Sequence, residues 1–310
     1  MKRELTPLIS GLMIALSLML SGNRLRAQAG VANTVPLDVT VSLTGSSTVS
    51  IGEPILLKYV VKNVSSQKAS VYTADTKHTA IITECFTDAD GKPLAPSVNP
   101  IPTHHRANMM TSWDGIEVAG GTSTSWEAVA NAYVTFPRPG TYVLRVHMQN
   151  PYVIGDVSQG THHILGGDYV FPLTVVEANP AHLYATAERL RQSILPTLDV
   201  NARATLIKAL FSMPEATAGT SWQALVEEPR LDGYALSQIT TALARIHTTR
   251  AADILAELVW EPAQANRAIQ EASPSQHLYE MYDTGDAALR KHIEDLHKQH
   301  GAEMSHFRIE

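Results

Sequence analysis

From Val35 to about Glu177 apolar and polar residues alternate, and from Asn179 onward they recur at helical spacing. The chain therefore changes structural class near its middle. In LDVTVSLT, Leu37, Val39, Val41 and Leu43 face one way while Asp38, Thr40, Ser42 and Thr44 face the other, as in a half-buried strand. In PILLKYVVKNV, Ile55, Leu57, Tyr59 and Val61 form an inner face with Lys58 and Lys62 outward, and Ile51-Gly52-Glu53-Pro54 supplies the turn before it. Further strands are predicted around Val71, Ile82, Trp126, Val143 and Val175. Their connections carry turn chemistry in Asp88-Ala89-Asp90-Gly91, Gly120-Gly121 and Pro137-Arg138-Pro139-Gly140. The glycines of ILGGD lie beside a strand, open no helix, and are assigned to a turn. Roughly seven short strands in about 145 residues argue for an antiparallel sandwich with long insertions.

In the second half, Asn179-Pro180 forms a cap and first-turn pair, and Leu183, Ala187, Leu190 and Ile194 follow at helical spacing. A second helix is predicted after Asp199 or Asn201, with Ala204, Ile207, Leu210 and Phe211 as its stripe and Pro214 beyond its end. Helices are also predicted in SWQALVEE, GYALSQITTALARIHT and TRAADILAELVWE, near Ala268, and from Asp283 or Asp286 through His297. Their connections are short and polar, which favours antiparallel hairpins that bury their stripes on one another. ARIHTTRAADILAELV and YEMYDTGDAALRKHIEDL share a helix–turn–helix pattern at an offset of roughly 36 to 38 residues.

Two resemblances follow from these segments. VSIGEPILLKYVVKNVSS, together with VAGGTSTSWEAVANAYVTFPRPGTYVLRVHM and a final apolar strand, resembles the immunoglobulin-like sandwich domains common in exported bacterial proteins. Pro139 to Tyr142 is similar to the corner of that fold at which a tyrosine hydroxyl bonds back to nearby backbone. The repeated helix–turn–helix segment resembles HEAT-type helical repeats, which run slightly longer. The expected architecture is a residue 35–178 immunoglobulin-like β-sandwich followed by a residue 179–310 α-helical, HEAT-like domain. The short connection from Val176 to Pro180 implies restricted relative motion. Neither resemblance specifies a function, because both folds host many roles.

Composition adds an address. Lys2 and Arg3, the 13-residue apolar run Leu8–Leu20 and the small-x-small triplet Ala27-Gln28-Ala29 resemble a secretory signal over residues 1–29. The run is shorter than the roughly 20 residues needed to span a bilayer. The expectation is export to a periplasmic or extracellular location without membrane insertion after cleavage. Arg24 and Arg26 leave an uncleaved tether as the alternative. Cleavage would remove four of the 24 basic and one of the 30 acidic residues, leaving 20 against 29 and a net charge of −9. An acidic chain without a Lys/Arg cluster lacks the footprint of a nucleic-acid binder. The single cysteine, Cys85, permits no intrachain disulfide and is expected to be a small buried hydrophobe.

Histidine is the one residue type that suggests chemistry. His104-His105 and His162-His163 form pairs in predicted loops of the sandwich, and His78 lies in a third. If these loops converge, one ring of each pair with Asp168 could hold Zn²⁺, because neutral imidazole and carboxylate suit that ion. No recognised zinc spacing is present, and His104 and His162 are the leading ligands of this alternative. In the last helix His297 and His300 share a face, where a solvated helix end is expected. Trp113, in a loop beside Asp114-Gly115, is a candidate ligand or partner contact, with packing at a sandwich edge as the competing role. Asn63-Val64-Ser65 matches the N-glycosylation triplet.

The sequence contains no G-x-S-x-G, no H-E-x-x-H, no S-x-x-K with companion motifs and no phosphate-binding glycine loop. The expectation is a non-enzymatic exported binding or scaffold protein with a protein partner and no cofactor. The alternatives are a metal-binding protein or metal-dependent hydrolase built on the loop histidines, and an inhibitor or ligand-binding sandwich.

Overall fold

Alternation and helical periodicity translate into nine strands followed by seven helices in the computed structural model, which describes residues 36–72, 82–95, 115–132, 134–155, 162–260 and 274–300. The strands are β1 Leu37–Thr44, β2 Thr48–Ser50, β3 Leu56–Asn63, β4 Ala69–Tyr72, β5 Ile82–Asp88, β6 Gly115–Val118, β7 Ser123–Val129, β8 Gly140–Ile154 and β9 His162–Val176. They form a three-stranded sheet in the order β1-β3-β7 and a second sheet in the order β2-β9-β8-β4-β6, with β5 also paired to β8. All these pairings are antiparallel except β2 with β9. The 15-residue β8 organises the larger sheet. One edge pairs along β9, while the other pairs first with β5 (Leu144 opposite Phe86) and then with β4 (Tyr152 opposite Val71).

The faces follow the alternation. Leu57, Tyr59 and Val61 are fully buried, and Lys58 and Lys62 are exposed. Val41, Leu57 and Tyr59 from the smaller sheet meet Phe86, Leu144, Val146, Met148 and Leu173 from the larger one in a shared core. A second cluster joins Leu37 and Val61 to Val71, Val118, Tyr152 and Leu165. Between residues 136 and 142 the chain turns into β8, with Gly140 at φ +156. There the buried Tyr142 hydroxyl donates to the Arg138 carbonyl at 2.8 Å, satisfying a backbone acceptor at the corner.

Three departures from the sequence reading have clear causes. His162-His163 and ILGGD are not in loops but inside β9, where Gly166 and Gly167 pair with Gln149 and Met148. A Cβ on Gly167 would stand 2.9 Å from the Tyr169 hydroxyl, so the glycine makes room for a ring that reaches the Val39 carbonyl. The short strands β2 and β6 contain three and four residues, too few to display a period. Cys85 is only partly buried: Glu84 and Cys85 are neighbours on β5, so their side chains leave the sheet on opposite faces.

The helices are α1 Pro180–Ile194, α2 Val200–Phe211, α3 Glu215–Val226, α4 Gly233–Ile246, α5 Thr249–Trp260, α6 Pro274–Thr284 and α7 Ala287–His300. Side chains of Asn179, Asp199, Asp232 and Asp286 accept from the backbone amides three residues on, capping α1, α2, α4 and α7. Leu183, Ala187, Leu190 and Ile194 form the buried stripe of α1. After α1, the helices make three hairpins, α2–α3, α4–α5 and α6–α7. Their buried positions recur. Ile207, Leu210, Ala218, Trp222 and Leu225 correspond, 33 residues on, to Thr240, Leu243, Ala251, Leu255 and Leu258. Thr240, Leu243, Ala251, Leu255 and Leu258 correspond in turn, 38 residues on, to Leu278, Met281, Leu289, Ile293 and Leu296. First helices stack on first helices (α2 on α4, α4 on α6), second on second (α3 on α5, α5 on α7), and α1 packs against α2 and α3.

Residues Val35–Glu310 form one compact unit. Val129, with the partly buried Leu56 and Ala132, enters the helical core. The Thr205 hydroxyl donates to the Glu127 carbonyl at 3.0 Å, and His182 Nε2 lies 3.0 Å from Glu53 Oε1. Gly52, at φ +85, adjoins Pro214, whose Cγ would lie 2.6 Å from an added Cβ. That position requires glycine both for its backbone and for its space.

Candidate functional site

The strand register disperses the candidate ligands that it describes. Asp168 and His163 are five positions apart on β9, roughly 16 Å along a strand and on opposite faces. Each has another partner: Asp168 Oδ1 lies 2.7 Å from Nδ1 of the cross-strand His147, and the His163 ring stacks on Tyr152 with centroids 5.1 Å apart. His162 pairs through its backbone with Val153. His78, His104, His105 and Trp113 lie outside the described residues, and among those described no three His, Cys, Asp or Glu side chains form a group able to hold a metal. Asn63, of the glycosylation triplet, is fully buried, and its Nδ2 donates to the carbonyls of Gln67 and Val118 at 2.8 and 2.9 Å. The fold uses that amide internally.

A half-buried polar group that the sequence did not single out lies between the sheets. Glu84, on the inner face of β5, has its carboxyl pushed up to about 7, first by burial, against the opposing pull of the Lys208 charge and the Tyr59 hydroxyl. Tyr59 donates to Glu84 Oε1 at 3.2 Å and stacks on Trp126 at 5.2 Å, and its own ionisation is pushed strongly up by burial and by Glu84. The arrangement holds a proton near neutrality and links β3, β5 and α2. Its signal in the sequence was a lone glutamate on the apolar face of AIITECF, which alternation alone places in the core.

Apolar side chains are also exposed at the start of the helical stack. Leu198 is 92% exposed, Val200 46% and Tyr234 44%. Leu198 and Val200 flank Asp199, the cap of α2, and Tyr234 is the second residue of α4. Arg203 Nη2 reaches Asp232 Oδ2 at 2.6 Å and ties the two helix starts together. The three residues therefore lie at the starts of two helices that this ion pair joins.

No protein-family model and no curated protein matches the chain. Similar solved structures include the CARDB domain of a Pyrococcus furiosus protein in complex with di-metal ions, at 12% identity and a TM-score of 0.20, covering 47% of this chain and 100% of that one. A native alpha-2-macroglobulin fragment from Escherichia coli, at 9% identity and a TM-score of 0.24, covers 79% of this chain and 41% of that one. The bacterial hydrophobin BslA, at 13% identity and a TM-score of 0.18, covers 46% of this chain and 95% of that one. At these scores the likenesses carry no argument about function. Strands followed by helices is the layout common to the sequence reading and the structure.

Among the described residues no helix is long and apolar enough to cross a membrane. Residues 1–29, which carry the predicted export signal, lie outside the described residues. The last helix differs from a simply solvated end. The rings of His297 and His300 pack on Trp260, with centroids 5.3 and 4.7 Å away. Trp260, 37 residues before His297, was the signal that spacing within one helix could not reveal.

Proposed function

We propose that this chain is a non-enzymatic exported scaffold of the cell envelope that contacts a protein partner through the apolar patch at the start of its helical stack. The observation that carries this reading is the exposure of Leu198, Val200 and Tyr234 at the starts of the two helices joined by the Arg203–Asp232 pair. Large apolar side chains grouped at a surface and rimmed by charge mark contact sites, and aromatic residues are favoured there. In this reading the two sheets are an immunoglobulin-like sandwich, supported by the Tyr142 corner, and the three hairpins are HEAT-like repeats, supported by the recurring buried positions. The protein acts in the periplasm or outside the cell.

The test is affinity capture by the full-length exported protein and by a Leu198→Asp/Tyr234→Ala variant, with thermal unfolding as the control for folding. The expected outcome is one or a few stoichiometric partners retained by the parent and lost by a variant of unchanged thermal midpoint. Metal analysis of the purified protein addresses the alternative: stoichiometric Zn²⁺ that disappears in His104→Ala or His162→Ala would replace the scaffold reading with a metal-site one.

A further inference from the structure

Five histidines lie along one seam, where the last hairpin, α6–α7, packs on α4–α5. His247, the residue after α4, faces the Thr284 hydroxyl of α6 at 3.0 Å. His277 of α6 faces the Thr241 hydroxyl of α4 at 3.4 Å. His292 of α7 meets Asp253 of α5 at 2.7 Å. His297 and His300 of α7 pack on Trp260 of α5. Beneath this polar layer Leu278, Met281, Leu289, Ile293 and Leu296 supply the apolar contact. The other hairpin seam is different: among the described residues, Gln223 to Glu257, Arg203 to Asp232 and Arg250 to the Gly219 carbonyl join α2–α3 to α4–α5 without histidine.

We propose that α6–α7 is a histidine-latched hairpin whose attachment to α4–α5 loosens on mild acidification. His247 is the pivot. It terminates α4 in the left-handed region at φ 54, the conformation by which helices commonly end, and it closes that end onto α6. Burial and nearby charge oppose one another there. Asp286, before α7, and the C-terminal carbonyls of α4 favour a charged ring. Arg245 lies two residues before His247 on α4, and the Arg290 guanidinium of α7 bonds the Asp283 and Gly285 carbonyls on either side of Thr284. Burial outweighs Asp286, so the fold holds His247 below its ordinary 6.5. His297 is lowered by the same cause against the charge of Glu294. For a histidine lowered in this way, the folded state favours the neutral ring. Its contribution is complete above about pH 6.5 and is lost as pH falls from there. His292 of α7 with Asp253 of α5 is a pair across the seam that persists when the imidazole is charged, so the middle of the seam holds while its ends open; the His277–Glu280 pair lies within α6.

Hydrogen exchange of the full chain, followed by mass spectrometry at pH 7.5 and 5.5 and corrected for intrinsic rates, tests this directly. The expected result is that amide protection in α6 and α7 falls at least tenfold more than in α2 and α3. A His247→Asn/His297→Gln variant keeps polar groups at both positions without titrating ones, and asparagine tolerates the left-handed conformation. In that variant the excess is expected to shrink below threefold. Equal loss along the whole helical stack in the parent protein, or an excess that survives undiminished in the variant, would overturn the proposal. The parent measurement alone decides the first point even if the variant folds poorly.

Discussion

Tyr142 and Glu84 occupy the same inter-sheet core, where one is satisfied by its surroundings and the other is held against its charge. The Tyr142 hydroxyl closes the turn into β8 on the Arg138 carbonyl, so Tyr142→Phe leaves that acceptor without its partner. The expected cost is about 1–2 kcal/mol, read as a lower urea midpoint with an unchanged denaturant slope. Glu84, pushed up from 4.5 to about 7, binds its proton more tightly when folded than when unfolded. Stability therefore falls as pH rises from about 4.5 to about 7, and the penalty is complete above that window. Glu84→Gln retains the acceptor for Tyr59 and removes the charge. It is expected to raise stability at pH 8, to change it little at pH 4, and to flatten the parent's pH profile, as measured by denaturation at both pH values. The tyrosine was legible because Pro139-Gly140 announces the corner before it. The glutamate's raised protonation was not, because it follows from burial between the sheets, which outweighs the opposing pull of Lys208 and Tyr59, groups distant in sequence and adjacent only in the fold.

Among the elements, those with a complete period in their own residues were readable, and those defined by partners were not. β1, β3 and α1 display their buried faces within 8 to 15 residues. β9 was cut short in the sequence reading because two glycines carry no apolar signal, yet the register with β8 passes through them. α3 begins with Glu-Ala-Thr-Ala-Gly, whose buried Thr217, Ala218 and Gly219 have little hydrophobic weight, and only the later Trp222 was conspicuous. That tryptophan is fully buried, stacks on Phe211 and donates from Nε1 to the Leu210 carbonyl at 3.0 Å. Trp222→Ala is expected to cost about 3–5 kcal/mol by cavity formation, measurable by calorimetry or denaturant titration. A milder test concerns the cap of α4. Asp232→Ala removes both the bond to the Ala235 amide and the partner of Arg203, and should lower stability by roughly 1–2 kcal/mol.

At the scale of the molecule, the sheets and the helices share a joint with apolar, polar and steric parts. Val129 enters the helical core, Thr205 holds the Glu127 carbonyl, and Gly52 fits against Pro214. A change of period near residue 178 marks where strands give way to helices, but it contains no information about which faces meet. Gly52→Ala introduces both an unfavourable backbone conformation and a contact with the Pro214 ring. It is expected to destabilise the protein by about 2 kcal/mol and to lower the unfolding midpoints of strands and helices together, observed by near- and far-ultraviolet circular dichroism. The same joint supports the helical stack on which the proposed contact patch is displayed. The most direct measurement is site-specific photo-crosslinking in cells that export the full chain, with the probe placed in turn at residues 198, 234 and 40. The account predicts the same discrete protein adduct from 198 and 234 and none from Thr40 on the outer face of β1. No adduct at either helix-start position, or equal capture from Thr40, would contradict a partner surface at the start of the stack.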